Sequence, residues 1–328
     1  MKKKFVNLVK HPWFLVSTIL IVSIVSSFFI PWNINVLSSH PHSVQSYDEA
    51  VQRIDTLDEG RASLMNPGCL TQFMTHGQKV QKVIVFVHGY TNCPIEFVGL
   101  GKEFYDLGYN VLIVPMPHHG LIDRTNTEQG QLSADELATY GDKIVDIAQG
   151  LGDQVTVMGI SCGGVVTAWA AQNRKDVDTA VVISPAFGYM AIPTLLTAPV
   201  MNAVITLPDV FVWWDAEAKE RDGNYYTYPK YSKHALAQIM RLGFSVQVDA
   251  DQTPPSAGRI FVITNANDDS VNNELTVKVA ESWRQQGAKL VTYEFPMDLA
   301  LPHDLIDANK PHANTELVYQ KLIDLVTH

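Results

Sequence analysis

The stretch that most limits what this chain can become is Val155-Thr156-Val157-Met158-Gly159-Ile160-Ser161-Cys162-Gly163-Gly164, which continues as Val165-Val166-Thr167-Ala168-Trp169-Ala170-Ala171. A β-branched run, a glycine-flanked serine and an alanine-rich apolar run read in turn as strand, sharp turn and helix. A serine at such a turn projects its hydroxyl away from the backbone, and the glycines two residues to either side let chain and helix pass closely. Ser161 is therefore the candidate nucleophile. Gly-x-Ser-x-Gly alone arises by chance in roughly one chain in ten of this length, so its weight comes from the strand before it and the helix after it.

The same alternation runs on either side. Residues 83–87, 110–114, 180–184, 259–264 and 289–295 are the other expected strands, and the first is apolar throughout, as a strand covered on both faces should be. One helix ends at Gly108, and another opens at Ser133, where Glu136 completes a capping box, and runs to about Gln149. Strands alternating with helices predict an α/β architecture, a doubly wound and mainly parallel sheet. About seventy residues after the fourth strand break the pattern. They carry Pro193, Pro199 and Pro208, the aromatics Phe211, Trp213, Trp214, Tyr225, Tyr226, Tyr228 and Tyr231, and an amphipathic stretch from about Ser232 to Leu242. Connections in compact domains are short, so this segment is expected to be an inserted helical cap over about residues 186–256.

A serine hydroxyl is nearly inert until a base takes its proton and an acid orients that base. Asp268 and Asp269 follow the fifth strand and His303 follows the sixth, each just past a carboxyl end, where open parallel sheets place their sites. The chain order is Ser161, Asp268, His303. With His88-Gly89 after the early strand, the serine turn, and Asp268 followed three residues later by Val271, the chain resembles the α/β-hydrolase superfamily over about residues 80–326, close to bacterial carboxylesterases and monoacylglycerol-lipase-like enzymes.

That resemblance implies an α/β-hydrolase fold in which Ser161 is the nucleophile, His303 the general base and then acid, and Asp268 the group that orients His303. It places the oxyanion hole at the backbone N–H groups of Tyr90 and Cys162, and it implies neither cofactor nor metal. Asp269 competes with Asp268, and the spacing to Val271 favours Asp268. His88 lies in the loop that shapes the oxyanion hole and is expected to be structural. His118, His119, His234 and His312 are expected at the surface or in support, and Asp304 is expected to steady the backbone around His303. His119-Gly120 matches a loop that family members write Gly-His-Gly, with His118 in place of the first glycine.

The formal charge is −10, and Lys2, Lys3, Lys4 and Lys10 lie in an acid-free N-terminus, which leaves the rest at about −14. A body this acidic repels phosphate backbones, so nucleic acid is not an expected partner. Residues 13–30 carry no charge and are bracketed by Trp13 and Trp32; at a helical rise they reach roughly 27 Å. They read as an uncleaved single-pass transmembrane signal-anchor over residues 1–32, with a cleaved signal peptide as the rival. The lysines would stay in the cytoplasm and the body would face the extracytoplasmic side. Residues 33–65 are polar and read as a tether to a hydrolase domain spanning 66–328. Cys162 belongs to the serine turn, which leaves Cys69 and Cys93 for one disulfide or as two unpaired small hydrophobes.

The expected activity is that of a membrane-anchored serine carboxylesterase or lipase, acting on a small or lipid-like acyl ester through an acyl-enzyme. A peptidase or amidase of the same fold is the alternative, for which Asp215, Glu217 and Glu220 are the residues that would meet a substrate amine. A catalytically silent envelope binding module is a third reading. Oligomeric state leaves no mark on the sequence.

Overall fold

In the computed structural model, which describes residues 12–215, 217, 226–310 and 312–327, the apolar runs pair into one seven-stranded sheet. The strands are β1 (Gln72–Met74), β2 (Val80–Val87), β3 (Asn110–Ile113), β4 (Gly152–Ile160), β5 (Thr179–Ile183), β8 (Arg259–Asn265) and β9 (Leu290–Phe295), in the order β1-β3-β2-β4-β5-β8-β9. Every pairing is parallel except β1 with β3, so six strands end on the same edge.

Alternation along each strand divides the core in two. Val83, Val85 and Val87 face one layer with Val155, Val157 and Val182, whereas Ile84 and Phe86 face the other with Met158, Ile160 and Val181. The second layer is closed by α3 (Ile95–Asp106) through Phe97, Leu100 and Phe104, and by α9 (Thr315–Thr327) through Val318, Leu322 and Val326. The first is closed by α4 (Ala134–Leu151), α5 (Cys162–Asn173) and α8 (Asn273–Gln285). Helix α4 begins at the expected capping box: Ser133 accepts from Glu136 N–H, and the Glu136 carboxylate accepts from Ser133 N–H.

Between β5 and β8 lie a 3₁₀ turn (Thr194–Leu196), α6 (Thr197–Thr206), a small hairpin of β6 (Phe211–Trp213) with β7 (Lys230–Ser232), and α7 (Lys233–Gln252). Helix α7 runs ten residues beyond the expected end at Leu242. It carries two apolar faces: Ala235, Ile239, Leu242, Val246 and Ala250 join the main core at helical spacing, while Ala237 and Met240 meet Met201 of α6. One helix thus serves as part of the sheet's outer layer and as the base on which α6 rests.

The N-terminal part departs from expectation. The apolar helix α1 is Pro12–Ser27, only 16 residues. At the α-helical rise that is about 24 Å, short of a hydrocarbon core of about 30 Å. Past Ser27 the chain tightens into i to i+3 bonds at Phe28, Phe29 and Ile30, and buried Asn202 of α6 captures it by donating to Phe28 O and Ile30 O, each at 2.8 Å, and accepting from Trp32 N–H. No helix among the described residues is long and apolar enough to cross a membrane. The expected single-pass anchor, and with it the membrane localisation and the outward-facing body, is corrected by that finding; Lys2, Lys3, Lys4 and Lys10 lie outside the described residues.

Residues 33–65 do not hang free either. Leu37, Val44, Ala50 and Ile54, the last two on α2 (Tyr47–Asp55), are buried in the main core, and Trp169 Nε1 donates to Leu37 O at 2.7 Å. Beside them the fully buried Arg174 bridges Asp142, Asp146 and Asp176 at 2.7–2.8 Å. The same three carboxylates receive the Ser39 hydroxyl, the His40 and His42 N–H groups and the Ser43 hydroxyl. The polar residues that make this segment look like a linker are its means of attachment.

Candidate active site

Strand β4 delivers Ser161 to the carboxyl edge of the sheet, and the backbone there is forced. Ser161 has φ +58° and ψ −116°, a conformation an L-residue keeps only when its surroundings over-determine it. Its N–H donates to Ile183 O at the end of β5, and its carbonyl accepts from Ala186 and Val165. The flanking glycines answer a space requirement. A Cβ on Gly163 would stand 2.0 Å from Val87 O, and one on Gly159 would stand 2.3 Å from Gly163 O.

Asp268 lies in the turn after β8. One carboxylate oxygen accepts from Ser270 and Val271 N–H at 3.0 and 3.1 Å; the other receives His303 Nδ1 at 2.7 Å. The contact to His303 thus falls to Asp268, while Asp269 is exposed and bonds the Ser270 hydroxyl. Burial by itself would raise the Asp268 pKa, but the facing imidazole and the two N–H donors hold it below the usual carboxylate range. Burial would likewise depress the His303 imidazole; the Asp268 carboxylate, with Asp304 beyond it, outweighs that and lifts it to about 9. Ser161 and His303 face one cavity of about 680 Å³, though no hydrogen bond joins them.

The loop after β2 is pinned at nearly every polar group. Gly89 N–H donates to Glu96 Oε2 at 2.8 Å, Gly89 O accepts from His88 Nδ1 and Asn92 N–H, Tyr90 O meets His119 Nε2 at 2.6 Å, and Thr91 O accepts from Tyr228 N–H. Asn92 reaches Asp307, and Cys93 is bonded to Cys69 with Cα atoms 5.2 Å apart. The expected disulfide is present, and Cys162 is the buried free thiol. The Tyr90 N–H is left without a protein acceptor among the described residues. Gly89, Tyr90 and Cys162 all line the cavity that holds Ser161. The Tyr90 side chain turns away, its hydroxyl donating to Gln129 O.

His88 cannot be a base here: its Nε2 accepts from Met116 N–H, its Nδ1 donates to Gly89 O, and burial drives its pKa down to about 3. His119 is also fully buried and depressed to about 4 by burial. His118, at φ +64°, bonds Glu136, and His234 meets Leu207 O. Asp304 does more than steady the backbone; it lines the cavity beside Lys310, to which it is paired at 2.7 Å. Sequence reasoning passed over Lys310 and Glu96. Glu96 did leave a signal, being a carboxylate on the face of α3 that otherwise presents Phe97, Leu100 and Phe104.

The Hydrolase_4 family, serine aminopeptidase S33, matches residues 78–295. The chain belongs to that family. It is 25% identical over 175 residues to the thermostable monoacylglycerol lipase of Bacillus sp. (strain H-257); the match covers 52% of this chain and 64% of that enzyme's length. Solved structures show the shared α/β-hydrolase fold. The Paleococcus ferrophilus monoacylglycerol lipase superposes with a TM-score of 0.57 at 15% identity, covering 78% of this chain and 97% of that one. A soluble variant of the Saccharomyces cerevisiae monoglyceride lipase, in complex with a substrate analogue, gives 0.57 at 14% identity, with 78% and 90% covered.

Proposed function

We propose that this S33-family protein is a serine esterase of the lipase type, hydrolysing uncharged acyl esters through an acyl-enzyme. The observation that carries the reading is the cavity itself. Ser161, His303, Tyr90 and Cys162 line it together with the apolar side chains of Ala186, Ile192, Val200, Val204, Leu236 and Met240. That apolar lining suits an acyl chain, whose burial contributes about 0.8 kcal/mol per methylene. Asp269 and Asp304 also line the cavity, so the amidase reading stays open to the same assay; Glu220 lies outside the described residues. The polar lining residues Thr91, Asp304 and Lys310 suit the alcohol. In this proposal residues from about 186 to 256 form the cap over the cavity.

The chemistry follows from placement. Ser161 Oγ attacks the ester carbonyl carbon while His303 Nε2 takes its proton, and the imidazolium formed is held by Asp268 through Nδ1. The carbonyl oxygen becomes an oxyanion and accepts from Tyr90 and Cys162 N–H; removal of one such donor typically costs about 10²–10³ in rate. Collapse expels the alcohol, which leaves with the proton from His303. Water then enters, gives its proton to His303 and releases the acid, restoring Ser161.

Labelling with a fluorophosphonate, followed by hydrolysis of p-nitrophenyl and glyceryl esters of increasing chain length, tests this. Labelling lost in Ser161→Ala together with a rate that rises with chain length supports it. Undiminished ester hydrolysis in Ser161→Ala, or cleavage of aminoacyl amides in preference to esters, would sink it.

A further inference from the structure

We infer that Glu96 is a positioning residue for the oxyanion hole: a buried, neutral carboxylic acid that fixes the Gly89 peptide and so aims the Tyr90 N–H that follows it. This rests on the proposed role of that N–H in the reaction. Glu96 sits at the start of α3, is almost wholly buried, and makes one hydrogen bond, from Gly89 N–H to Oε2 at 2.8 Å. Its Oε1 is buried and has no partner among the described residues. A carboxylate in that position would carry a full charge on a single donor, which buried charges do not tolerate. Protonated, the group leaves only an uncharged hydroxyl unpaired, which costs less than an unpaired charge, while the other oxygen still accepts from Gly89 N–H.

The surroundings agree. The groups that face Glu96 are Asp304, Asp307, Lys310 and His303 from the segment after β9, Tyr319 of α9, and the Tyr226 hydroxyl. The nearby ammonium, Lys310, is committed to Asp304 at 2.7 Å, and Asp307 is engaged by Asn92 and Tyr226. Burial first, and Asp304 second, push the Glu96 carboxyl well above its ordinary pKa. The N-terminal turn of α3 favours negative charge, but that effect is weaker than the loss of water around a carboxylate with a single donor. An ionised Glu96 is one of the charges that lift the His303 imidazole, so a neutral Glu96 leaves His303 easier to deprotonate.

The test compares the full-length protein with Glu96→Gln and Glu96→Ala on one p-nitrophenyl ester. Glutamine reproduces a neutral acceptor of the same shape. It should keep at least roughly a third of kcat and leave the acid limb of the kcat/KM profile in place. Alanine should lower kcat roughly tenfold or more with KM within about twofold, since a misaimed oxyanion donor is felt in the transition state. Glutamine as impaired as alanine, a limb displaced to lower pH in Glu96→Gln, or an alanine variant with wild-type kcat would each overturn the inference. Should Glu96→Ala fail to fold, the Glu96→Gln profile decides alone. If the wild-type protein cleaves no ester, the functional reading has failed instead, and the rate of fluorophosphonate labelling of Ser161 in the same proteins still tests Glu96.

Discussion

In the proposed reaction His303 takes the Ser161 proton only while its imidazole is neutral, and Asp268 works against that neutrality by helping to lift it to about 9. kcat/KM for ester hydrolysis should therefore climb as pH rises toward about 9. In Asp268→Asn the lifting charge is gone, so the climb should shift to lower pH while the plateau drops roughly 10⁴-fold; a limb that stays put would refute the coupling. Ser161→Ala and His303→Ala should each cost on the order of 10⁶-fold in kcat, because the groups act as a unit. Ser161, Asp268 and His303 were legible in the sequence because each directly follows an apolar run at the same sheet edge, and strand ends are what one-dimensional patterning marks well. Glu96 and Lys310 were not, since what singles them out is what they face: a Gly89 peptide seven residues away for one, and Asp304 in an irregular segment for the other.

Elements held by long-range contacts were harder to read than those held by their own periodicity. Strand β1 has three residues and exists because β3 offers an unpaired edge; β6 and β7 are equally short and pair across a long insertion. Neither had the length to show a period of two. Helix α1 was misread for the opposite reason, its uncharged run continuing past the point where Asn202 and the turn at Phe28 end the helix. The loop after β2 gives the sharpest test at this scale. Its disulfide closes a separation of 24 residues, for which the chain-entropy estimate is about 3.5 kcal/mol. Reduction, or the Cys69→Ser, Cys93→Ser pair, should lower Tm. It should also reduce kcat more than it raises KM, because Cys93 braces the loop that carries Tyr90. A variant with unaltered Tm and turnover would show the bridge to be idle.

For the whole molecule, the N-terminal region divides at the point where burial begins. Removing residues 1–31 takes away an exposed helix and should leave ester hydrolysis intact. Removing residues 1–46 also strips Leu37 and Val44 from the core, each worth about 1.5–3 kcal/mol, and should lower Tm sharply. Equal Tm values for the two truncations would mean that residues 32–46 are dispensable to the fold. Arg174 sets the cost of that attachment. Arg174→Met leaves Asp142, Asp146 and Asp176 without their shared cation, and loss of one partner from such a buried cluster should cost about 3–5 kcal/mol in chemical denaturation. One guanidinium therefore governs two layers of structure, the loop between α5 and β5 and the segment that Asp142 and Asp146 hold by its amides. The His40 and His42 amide protons consequently belong to one cooperative opening unit. In deuterated water they should exchange together, at a common rate. The neighbouring amides of α4 would keep their protons until the entire sheet comes apart.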